Sequence, residues 1–396
     1  MGSASLNILT INAGSSSLKV GFSAFDADTG STAATTINVA TIGAAVSRVS
    51  TQIDGGAADS EDVFIADHAS AMNYVLKILA DKRIDAVGHR IVHGGTDYSS
   101  PVVINDEVIQ KLSDLSALDP HHMPAALELI GILQSHLPDV PHVACFDTAF
   151  FHDIPRLAQM TTLPRAYEQN GVRRYGFHGL SYHYIQSAFR DIAGDTAVHG
   201  RVVYAHLGSG ASLAATRDGR PQDMTMGFSP VSGIMMSSRS GDLDPALAQY
   251  FGTTLGVDSA AYDHMVNFES GLLGVSGVSA DMKVLIDAMD SDPHAREAVE
   301  LFCYQVAKSV AALATTIGGL DSLIFSGGIG EQAPLIRQMV CDRLYFLGVQ
   351  LDDDANQHHG TLISSSWSAV GVHVIPTDES QTILRAVYQT VTTREK

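Results

Sequence analysis

The stretch that decides the fold reads Ile8-Leu-Thr-Ile-Asn-Ala-Gly-Ser-Ser-Ser-Leu-Lys-Val-Gly-Phe22. It predicts two β-strands, 8–11 and 18–22, that are joined by a tight turn of small polar residues. Farther along the chain, apolar residues recur at helical spacing over 67–81, and an apolar run over 84–92 predicts a buried strand. Helices and strands that alternate in this way are typical of α/β proteins, so we predict an α/β fold.

A second strand-turn-strand unit opens the other half of the chain. Residues 201–205 predict a strand that runs into Leu207-Gly-Ser-Gly-Ala-Ser-Leu213. A shift of 195 positions places Ser17 on Ser212, and the surrounding small residues match in kind. Short units of this type also resemble one another by chance, so the match is weak evidence for an internal duplication.

Length and charge exclude several classes of protein. The 396 residues exceed the roughly 250–300 at which single hydrophobic cores stop growing, which predicts two domains. The chain has 24 basic and 43 acidic residues, and its net charge of −19 opposes nonspecific attraction to nucleic acid or anionic membranes. No apolar run reaches the roughly 18 residues of a membrane span, and the first residues do not resemble a signal peptide. We therefore expect neither nucleic acid nor a membrane as a partner.

The cysteines indicate the cellular compartment. Cys145, Cys303 and Cys341 are far apart and have no metal-ligand spacing. This pattern argues against a disulfide framework or a zinc site and favours a reducing compartment. We therefore expect the protein in the cytoplasm.

Four glycine-rich segments combine small residues with a charged or hydroxyl side chain: 12–19, 88–95, 207–212 and 326–331. Backbone N–H groups in such turns bind anions, and glycine lets a phosphate approach the main chain. One such segment is more often an ordinary turn, but four in one chain favour phosphate binding. Neither a Walker loop nor a Rossmann fingerprint occurs, which excludes the two commonest nucleotide-binding folds.

Arginine and histidine residues near these segments are candidates for anion binding. Arg90 and Arg239 lie among small residues, and a planar guanidinium suits bidentate recognition of carboxylate or phosphate. A salt bridge is an equal alternative for either arginine taken alone. For His178, a histidine satisfied within the core is the more frequent alternative.

Three acidic residues are candidates for orienting a group or binding a metal ion. Asp147 follows an apolar run, where it either orients a group at the end of a strand or caps the next turn. Glu331 and Glu379 are the best acids for hydrated Mg²⁺, which takes one or two carboxylates together with substrate phosphates.

Together these segments resemble the acetate kinase family over about residues 8–385. Six motifs occur in the family's order and spacing: Asn12-Ala-Gly-Ser-Ser-Ser-Leu-Lys19, Gly88-His-Arg-Ile-Val-His-Gly-Gly95, Phe146-Asp-Thr-Ala-Phe150, Arg173-Arg-Tyr-Gly-Phe-His-Gly179, Arg239-Ser-Gly-Asp242 and Gly328-Ile-Gly-Glu331. The resemblance implies two duplicated α/β domains of the actin-like, ribonuclease-H-like ATPase type, with an active-site cleft between them. We assign 1–150, with 385–396 crossing back, to the first domain and 151–384 to the nucleotide-binding domain. The resemblance also implies a homodimer.

The resemblance implies four catalytic residues, Arg90, Asp147, His178 and Arg239. Arg90 is also implied to bind the carboxylate substrate, together with His122 and the apolar residues Val92, Phe177 and Pro230. The residues implied to bind the nucleotide and its phosphates are Asn12, Ser15, Ser17, Lys19, His206, Gly208, Ser209, Gly210, Asp281, Met282, Lys283, Gly328, Ile329, Gly330, Glu331 and Gln332. Asn12 and Glu379 are the implied ligands of Mg²⁺, for which Mn²⁺ can substitute.

The resemblance implies reversible, Mg²⁺-dependent transfer of a phosphoryl group from ATP to acetate, giving acetyl phosphate and ADP. His121 replaces a leucine that is usual in the family, which leaves a propionate or butyrate kinase open. Ser209 and Gln332 each replace an asparagine, and Lys283 replaces an arginine that is common in the family. These differences leave open the nucleotide preference and pyrophosphate as the phosphoryl donor. A relative that binds nucleotide without catalysis is the alternative from a different class.

Overall fold

The structure is a computed structural model that describes residues 5–14 and 16–394. The chain forms two units, one from residues 1–149 and 378–396 and the other from residues 150–377. The predicted domain limits and the cleft expected between the domains stay predictions. Among the helices of the described residues, none is both long enough and apolar enough to span a membrane.

The first unit contains an eight-stranded sheet. Its strands are β1 (Leu6–Ala13), β2 (Leu18–Asp26), β3 (Gly30–Ala40), β4 (Ser47–Ile53), β5 (Asp59–Val63), β6 (Ala86–Ile91), β7 (Val102–Val103) and β8 (His142–Phe146). Their order across the sheet is β5-β4-β3-β2-β1-β6-β8-β7. Strands β1 to β5 pair antiparallel, whereas β6 runs parallel to β1 and β8 runs parallel to β6. The predicted strands 8–11, 18–22 and 84–92 are confirmed.

The α-helices within residues 1–149 of this unit are α1 (His68–Ile78), α2 (Asp106–Asp114) and α3 (Met123–His136). Helix α1 confirms the helix predicted over 67–81. Asp67 is its N-cap, because the carboxylate accepts a hydrogen bond from the backbone N–H of Ser70. Met72 and Val75 pack into one core with apolar residues of β1 to β4. Burial of this apolar face fixes the helix against the sheet.

The second unit contains a five-stranded sheet formed by β9 (Arg201–Leu207), β10 (Ala211–Arg217), β11 (Arg220–Met224), β12 (Ser322–Ser326) and β13 (Gly371–Val374). Their order is β11-β10-β9-β12-β13. Strands β11, β10 and β9 pair antiparallel, and β12 runs parallel to both β9 and β13. The strands β3-β2-β1-β6-β8 have the same order and directions, which supports an internal duplication.

The register of the proposed duplication differs from the predicted shift of 195. The turn between β1 and β2 spans 14–17, whereas the turn between β9 and β10 spans only 208–210. Ser17 therefore lies in a turn, but Ser212 lies inside β10, opposite His206. Because the second turn is shorter, one shift cannot align both strands, and the predicted match of Ser17 with Ser212 is wrong.

The helices of the second unit are α4 (Arg156–Gln159), α5 (Gly179–Ala193), α6 (Asp195–Val198), α7 (Ala246–Tyr250), α8 (Ser259–His264), α9 (Gly271–Ser276), α10 (Met282–Ala288), α11 (Pro293–Ile317), α12 (Gly327–Gln332), α13 (Pro334–Asp342) and α14 (Asp353–Gln357). Further helical turns span Leu115–Ala117, Ala149–Phe151, Arg165–Asn170, Phe251–Leu255, Met265–Glu269 and Tyr345–Leu347. Helix α11 begins after the N-cap Asp292 and ends at Gly318, which has a left-handed conformation.

The glycine segment 326–331 is not the turn that the sequence predicted. It forms the short helix α12 directly after β12. Gly327 has a φ of 76°, which glycine adopts without strain. A Cβ atom at this position would lie 2.7 Å from the carbonyl oxygen of Leu207. The chain therefore passes from strand to helix at a residue where only glycine fits.

The last helix, α15 (Glu379–Arg394), belongs to the first unit. It packs against β1, β2 and β6. A Cβ atom on Gly88 of β6 would lie 2.3 Å from Ile383 Cγ2 and 2.6 Å from Val387 Cγ2. The missing side chain of Gly88 therefore lets the helix approach the sheet closely, and this approach places Glu379 at the start of the helix.

We expect the substitution Gly88→Ala to lower the free energy of unfolding by about 1–3 kcal/mol, because an extra methyl group overpacks this contact. Urea unfolding measures the change. Gly131→Ala is the matched control: Gly131 lies in α3 with no atom within 4 Å of its Cβ position. A glycine replaced by alanine in an open helical site gains up to about 1 kcal/mol. Unchanged or increased stability of the Gly88→Ala variant would contradict the close packing of α15.

Candidate active site

Arg90 lies at the centre of a polar network in the first unit. Arg90 is the penultimate residue of β6 and Asp147 directly follows β8, and the carboxyl ends of these parallel strands meet at one edge of the sheet. Arg90 Nη2 donates to Asp147 Oδ2 at 2.6 Å, and Arg90 Nε lies 3.2 Å from Oδ1 and 3.1 Å from Oδ2. The two side chains thus form a bidentate pair, which fixes the plane of the guanidinium.

Asn12 and Glu379 complete this Arg90 network, which we define as Asn12, Arg90, Asp147 and Glu379. Arg90 Nη1 donates to Asn12 Oδ1 at 2.8 Å, and Asn12 Nδ2 donates to Glu379 Oε2 at 2.6 Å. Arg90 Nη1 also lies 3.6 Å from Glu379 Oε2. Asn12 comes from β1, the neighbour of β6, and Glu379 is the first residue of α15. The structure therefore brings together two predicted catalytic residues, Arg90 and Asp147, and the two predicted metal ligands, Asn12 and Glu379.

The network is largely withdrawn from water, which strengthens its electrostatics. The side chain of Asp147 is 1% exposed, and that of Arg90 is 16% exposed. Burial acts to lower the pKa of Arg90, but the charges of Asp147 and Glu379 outweigh it and raise that pKa above its ordinary value. Burial raises the pKa of Asp147, and the adjacent guanidinium opposes this effect. With both carboxylates ionised, two negative charges face one positive charge, so the network attracts a further cation.

The donor atoms of the network suit Mg²⁺, which takes one or two carboxylates together with phosphate and water oxygens. Glu379 supplies a carboxylate, whereas the amide oxygen of Asn12 already accepts a hydrogen bond from Arg90. Within residues 5–14 and 16–394, no three His, Cys, Asp or Glu side chains form a group that could hold a metal ion. A bound ion would therefore take most of its ligands from phosphate and water.

Next to this network, Asp119 holds His122. His122 Nδ1 lies 2.9 Å from Asp119 Oδ1 and 3.1 Å from Oδ2, and Asp119 is 3% exposed. The contact orients the imidazole ring that the sequence assigned to substrate binding. Sequence analysis did not identify Asp119, although an aspartate three residues before the predicted histidine, just ahead of α3, was a usable signal. Val92, the predicted apolar contact, is buried.

His93 is a buried neutral histidine near the same residues. Its Nδ1 accepts a hydrogen bond of 2.9 Å from the backbone N–H of Gly95. Burial lowers the pKa of His93 to about 4, although Asp119 acts in the opposite direction. The unfolded chain binds this proton at about pH 6.5, so it holds more protons than the folded protein between about pH 6.5 and 4.

We therefore expect the free energy of unfolding to fall as the pH drops through this window, by up to about 3 kcal/mol from His93 alone. Urea unfolding between pH 7 and 4.5 measures the slope. His93→Gln should reduce the slope, because the substituted side chain does not titrate. His294→Gln, at an exposed histidine, is the control and should leave it unchanged. An unaltered slope in the His93→Gln protein would contradict the assignment.

The predicted phosphate turn of the first unit is only partly described. Gly14 N donates to Ser17 O at 2.8 Å, which closes the turn between β1 and β2. Lys19 lies in β2, opposite Asn12, and its side chain is exposed. Ser15, a predicted phosphate contact, lies outside the described residues.

In the second unit, Gly210 lies against two predicted catalytic residues. A Cβ atom on Gly210 would be 3.2 Å from His178 Nε2 and 3.7 Å from Arg239 Nη1. The rings of His178 and His206 have their centroids 4.5 Å apart. The structure therefore places His178, His206 and Arg239 around the glycine turn 208–210, where the sequence predicted a phosphate site.

His178 is held by groups that the sequence did not reveal. Its Nδ1 lies 2.9 Å from Ser212 Oγ, which lies 2.6 Å from the hydroxyl of Tyr182. His206 Nδ1 is bonded in the same way to Ser181 Oγ at 2.8 Å. Ser212 is 34 residues from His178 in the chain, so no local pattern could identify the contact.

The remaining predicted substrate contacts lie beside these residues. Arg239 Nη1 donates to the carbonyl oxygen of Pro230 at 3.3 Å. Phe177 is buried and directly precedes His178. Asp281 is the N-cap of α10, since its carboxylate accepts hydrogen bonds from the backbone N–H groups of Lys283 and Val284. In these contacts Asp281 has a structural role, and the predicted nucleotide role of residues 281–283 stays a prediction.

Helix α12 contains the predicted nucleotide segment 328–332. Glu331 Oε1 accepts hydrogen bonds from Gly327 N at 2.8 Å and from Thr377 N at 3.1 Å. The carboxylate therefore satisfies a donor at the start of its own helix and ties the helix to the segment before α15. Gly328 and Gln332 are exposed, while Gly330 is buried. A Cβ atom on Gly208 would lie 4.0 Å from the backbone nitrogen of Gly328. The two predicted glycine segments are therefore neighbours.

Arg337 fixes the other end of α12, and sequence analysis did not identify it. The residue is 0% exposed, and its Nη1 donates to the carbonyl oxygens of Gly330 and Glu331, both at 2.8 Å. Nε donates to Asn356 Oδ1 at 2.8 Å, and Nη2 donates to Asn356 O at 2.7 Å. Burial lowers the pKa of Arg337 to about 10. A buried guanidinium that binds neutral acceptors thus determines where α12 lies.

Comparisons with known proteins cover nearly the whole chain. The acetokinase family model matches residues 7–385. An acetate kinase of Rhodopseudomonas palustris is 42% identical over 392 residues, which cover 96% of this chain and 98% of the relative. The solved structure of the Porphyromonas gingivalis acetate kinase is 35% identical, with a TM-score of 0.85, and covers 98% of this chain and 100% of its own.

A propionate kinase from Francisella tularensis has a similar structure. It is 33% identical, with a TM-score of 0.89 over 97% of this chain and 99% of its own. These structures confirm the predicted α/β fold class, that of the acetate kinases and the actin-like ATPases. The match of the family model over 7–385 and the relative at 42% identity confirm the resemblance seen in the sequence: the chain belongs to the acetokinase family.

Proposed function

We propose that the chain transfers a phosphoryl group reversibly between ATP and acetate, giving acetyl phosphate and ADP. Membership of the acetokinase family makes it a phosphotransferase that acts on a carboxyl group. The observation that supports the proposal most is the Arg90 network. Its guanidinium is fixed by Asp147 on one side and Asn12 on another, as recognition of a small planar anion requires.

Acetate binding is assigned to Arg90, with His122 and Val92 beside it. A carboxylate is already a nucleophile at pH 7, so the reaction needs no general base. Asp147 then has the role of holding Arg90 in one orientation, which its bidentate contact performs. Asp119 has the corresponding role for His122. Catalysis in this half of the site consists of orienting the carboxylate oxygen for in-line attack.

Stabilisation of the transferred phosphoryl group is assigned to His178 and Arg239. The negative charge on its oxygens is spread in the transition state, and preorganised donors that face it lower the barrier. The contact of both side chains with Gly210 supports this role, because glycine leaves room for an anion at the main chain. Phe177 and Pro230 are the proposed apolar contacts of the acyl group.

Mg²⁺ binding is assigned to Asn12 and Glu379, and Asn12 also orients the Glu379 carboxylate through Nδ2. When bound, the ion would neutralise phosphate charge. One Mg²⁺ would also change the charge of the Arg90 network from −1 to +1, which turns a site that repels anions into one that attracts them. Mn²⁺, which takes similar oxygen ligands, is expected to substitute.

Nucleotide binding is assigned to the second unit. The phosphates are proposed to bind at His206, Gly208, Ser209 and Gly210. The remainder of ATP is proposed to bind at 328–332 and 281–283. The proximity of Gly208 to Gly328 supports the grouping of the two glycine segments. Ser17 and Lys19 are the proposed phosphate contacts of the first unit.

The proposed function also includes a preference among short-chain carboxylic acids. The propionate kinase of Francisella tularensis, at a TM-score of 0.89, is the observation that favours a longer acid as a second candidate. One methylene group in an apolar pocket changes binding by about 1–3 kcal/mol, so related acids are discriminated only in part. We propose acetate as the preferred acid and propionate as the weaker one.

The test is steady-state turnover of the purified protein with Mg²⁺ and acetate, propionate or butyrate. ATP or pyrophosphate is supplied as donor, and hydroxylamine traps the acyl phosphate. Most acyl hydroxamate should form from acetate and ATP. Faster turnover of propionate or butyrate would reassign the substrate, and product from pyrophosphate alone would reassign the donor. Nucleotide binding without product from any pair would overturn the kinase in favour of a non-catalytic regulator.

Two wider assignments belong to the same proposal. We propose a homodimer, which sedimentation of the purified protein tests. We also propose a cytoplasmic protein, and the support is that Cys145, Cys303 and Cys341 are all free thiols and buried. A reducing compartment is compatible with this state of the cysteines.

A further inference from the structure

A series of buried hydroxyl groups leads to His178. The hydroxyl of Tyr182 lies 2.6 Å from Ser212 Oγ, which lies 2.9 Å from His178 Nδ1. Tyr182, Ser212 and His178 are 0%, 1% and 9% exposed. Tyr182 lies in the first turn of α5 and Ser212 lies in β10, so two rigid elements hold the series in place.

The direction of these hydrogen bonds follows from the hydroxyl of Tyr182, whose oxygen lies 2.6 Å from Ser212 Oγ. Burial raises the pKa of the Tyr182 phenol well above its ordinary value, so the hydroxyl keeps its proton. Tyr182 therefore donates this proton to Ser212 Oγ.

Ser212 in turn donates its single hydroxyl proton to His178 Nδ1. The opposite direction, from His178 Nδ1–H through Ser212 to Tyr182, would leave the Tyr182 O–H buried without this acceptor. A buried donor that loses its acceptor costs about 1–3 kcal/mol. The structure therefore favours His178 with an unprotonated Nδ1 and, while the ring is neutral, with its proton on Nε2.

His178 has a φ of 61° and directly precedes Gly179, the first residue of the fifteen-residue helix α5. A neutral imidazole has two tautomers, and only the Nε2–H form has a donor on the side of the ring that faces Gly210.

We propose that Tyr182 and Ser212 are positioning residues that hold His178 in its Nε2–H tautomer, so that it presents a hydrogen-bond donor to the transferred phosphoryl group. The inference rests on the proposed function for the identity of the group that His178 faces. The tautomer itself follows from the hydrogen bonds of the second unit alone. Neither residue touches the substrate in this scheme, and both act through His178.

The test is NMR spectroscopy of the full chain with ¹⁵N-labelled histidine, together with kinetics. The His178 signals are assigned from their loss in a His178→Gln variant. In the unmodified protein, Nδ1 should show the shift of an unprotonated ring nitrogen and Nε2 that of a protonated one. Ser212→Ala should give a mixture of tautomers and lower kcat about 10-fold, with both KM values nearly unchanged. Tyr182→Phe should also give a mixture of tautomers and a lower kcat, but both changes should be smaller than in Ser212→Ala.

Tyr204→Phe is the matched control. Tyr204 is equally buried, and its ring centroid is 6.2 Å from that of Tyr182, but its hydroxyl is not part of the series. This variant should leave the His178 signals and kcat unchanged. A protonated Nδ1 in the unmodified protein would overturn the inference, as would unchanged signals and kcat in Ser212→Ala. A protein without kinase activity would overturn the proposed function instead, because the ring nitrogens report the tautomer without turnover.

Discussion

Replacing Arg90 by lysine is expected to lower kcat/KM for acetate by about 10²–10³-fold, because preorganised donors to a reacting anion contribute effects of this size. Lysine keeps the positive charge but has one nitrogen instead of the guanidinium fork. Arg90 uses Nε and Nη2 for Asp147 and Nη1 for Asn12, so a single ammonium group cannot hold all these contacts. Steady-state kinetics with varied acetate measures the loss.

The surface pair of Arg48 and Asp62 provides a matched control for this variant. Arg48 Nε donates to Asp62 Oδ1 at 2.9 Å and Nη2 donates to Oδ2 at 3.2 Å, so the geometry is again bidentate. Their side chains are 66% and 53% exposed, however, and exposed pairs contribute at most about 1 kcal/mol. Arg48→Lys should therefore leave kcat/KM unchanged. If Arg90→Lys behaved like Arg48→Lys, Arg90 would not be the acid-binding residue.

Replacing Glu379 by glutamine is expected to raise the Mg²⁺ concentration needed for half-maximal turnover by about 10–100-fold. The substitution keeps the shape of the side chain but removes the negative charge that makes it a ligand for a hard cation. Removal of this charge also leaves Arg90 with Asp147 as its one carboxylate partner in the Arg90 network. Turnover at saturating ATP, measured over a series of free Mg²⁺ concentrations, gives the shift.

Glu107→Gln is the control for this measurement. Glu107 forms an exposed pair with Lys111 in α2, at 3.1 Å, and belongs to the same unit as Glu379. Its substitution should not change the dependence on Mg²⁺. A Glu379→Gln protein with unchanged Mg²⁺ dependence and reduced kcat would show that Glu379 orients Arg90 rather than binding the ion.

Helices and strands that are determined by residues close together in the chain could be predicted from the sequence. Helix α1 was recognisable because apolar residues recur at helical spacing over 67–81. The strand pair 8–11 and 18–22 was recognisable from its polar turn. The prediction of a turn at 326–331 was wrong, because β12 ends at Ser326 and α12 begins directly at Gly327, and composition alone does not distinguish a turn from a short helix.

In the candidate site, too, the sequence predicted some residues and not the contacts that hold them. Arg90, Asp147, His178 and Arg239 lie in motifs, so the sequence could name them. Their supporting residues come from distant parts of the chain. Asn12 and Glu379 are 367 residues apart, and no pattern in the sequence indicates that Asn12 Nδ2 donates a hydrogen bond to Glu379.

The residues that sequence analysis missed support others through long-range contacts. Tyr182 looks like one more apolar position of α5, and Ser212 looks like a turn residue until the strand register places it beneath His178. Arg337 resembles an exposed helical arginine, but folding buries it against the carbonyl groups of α12. Packing of separate elements, which local propensity does not encode, creates these sites.

Bond formation between an acetate oxygen and the terminal phosphorus of ATP is the central claim, and isotope transfer tests it most directly. Acetate labelled with ¹⁸O in both oxygens is incubated with ATP, Mg²⁺ and the purified protein, and the products are examined by ³¹P NMR. Transfer of the terminal phosphoryl group to an acetate oxygen predicts acetyl phosphate with one ¹⁸O bonded to phosphorus, together with unlabelled ADP. Formation of AMP and pyrophosphate, or of acetyl phosphate without ¹⁸O on phosphorus, would contradict it.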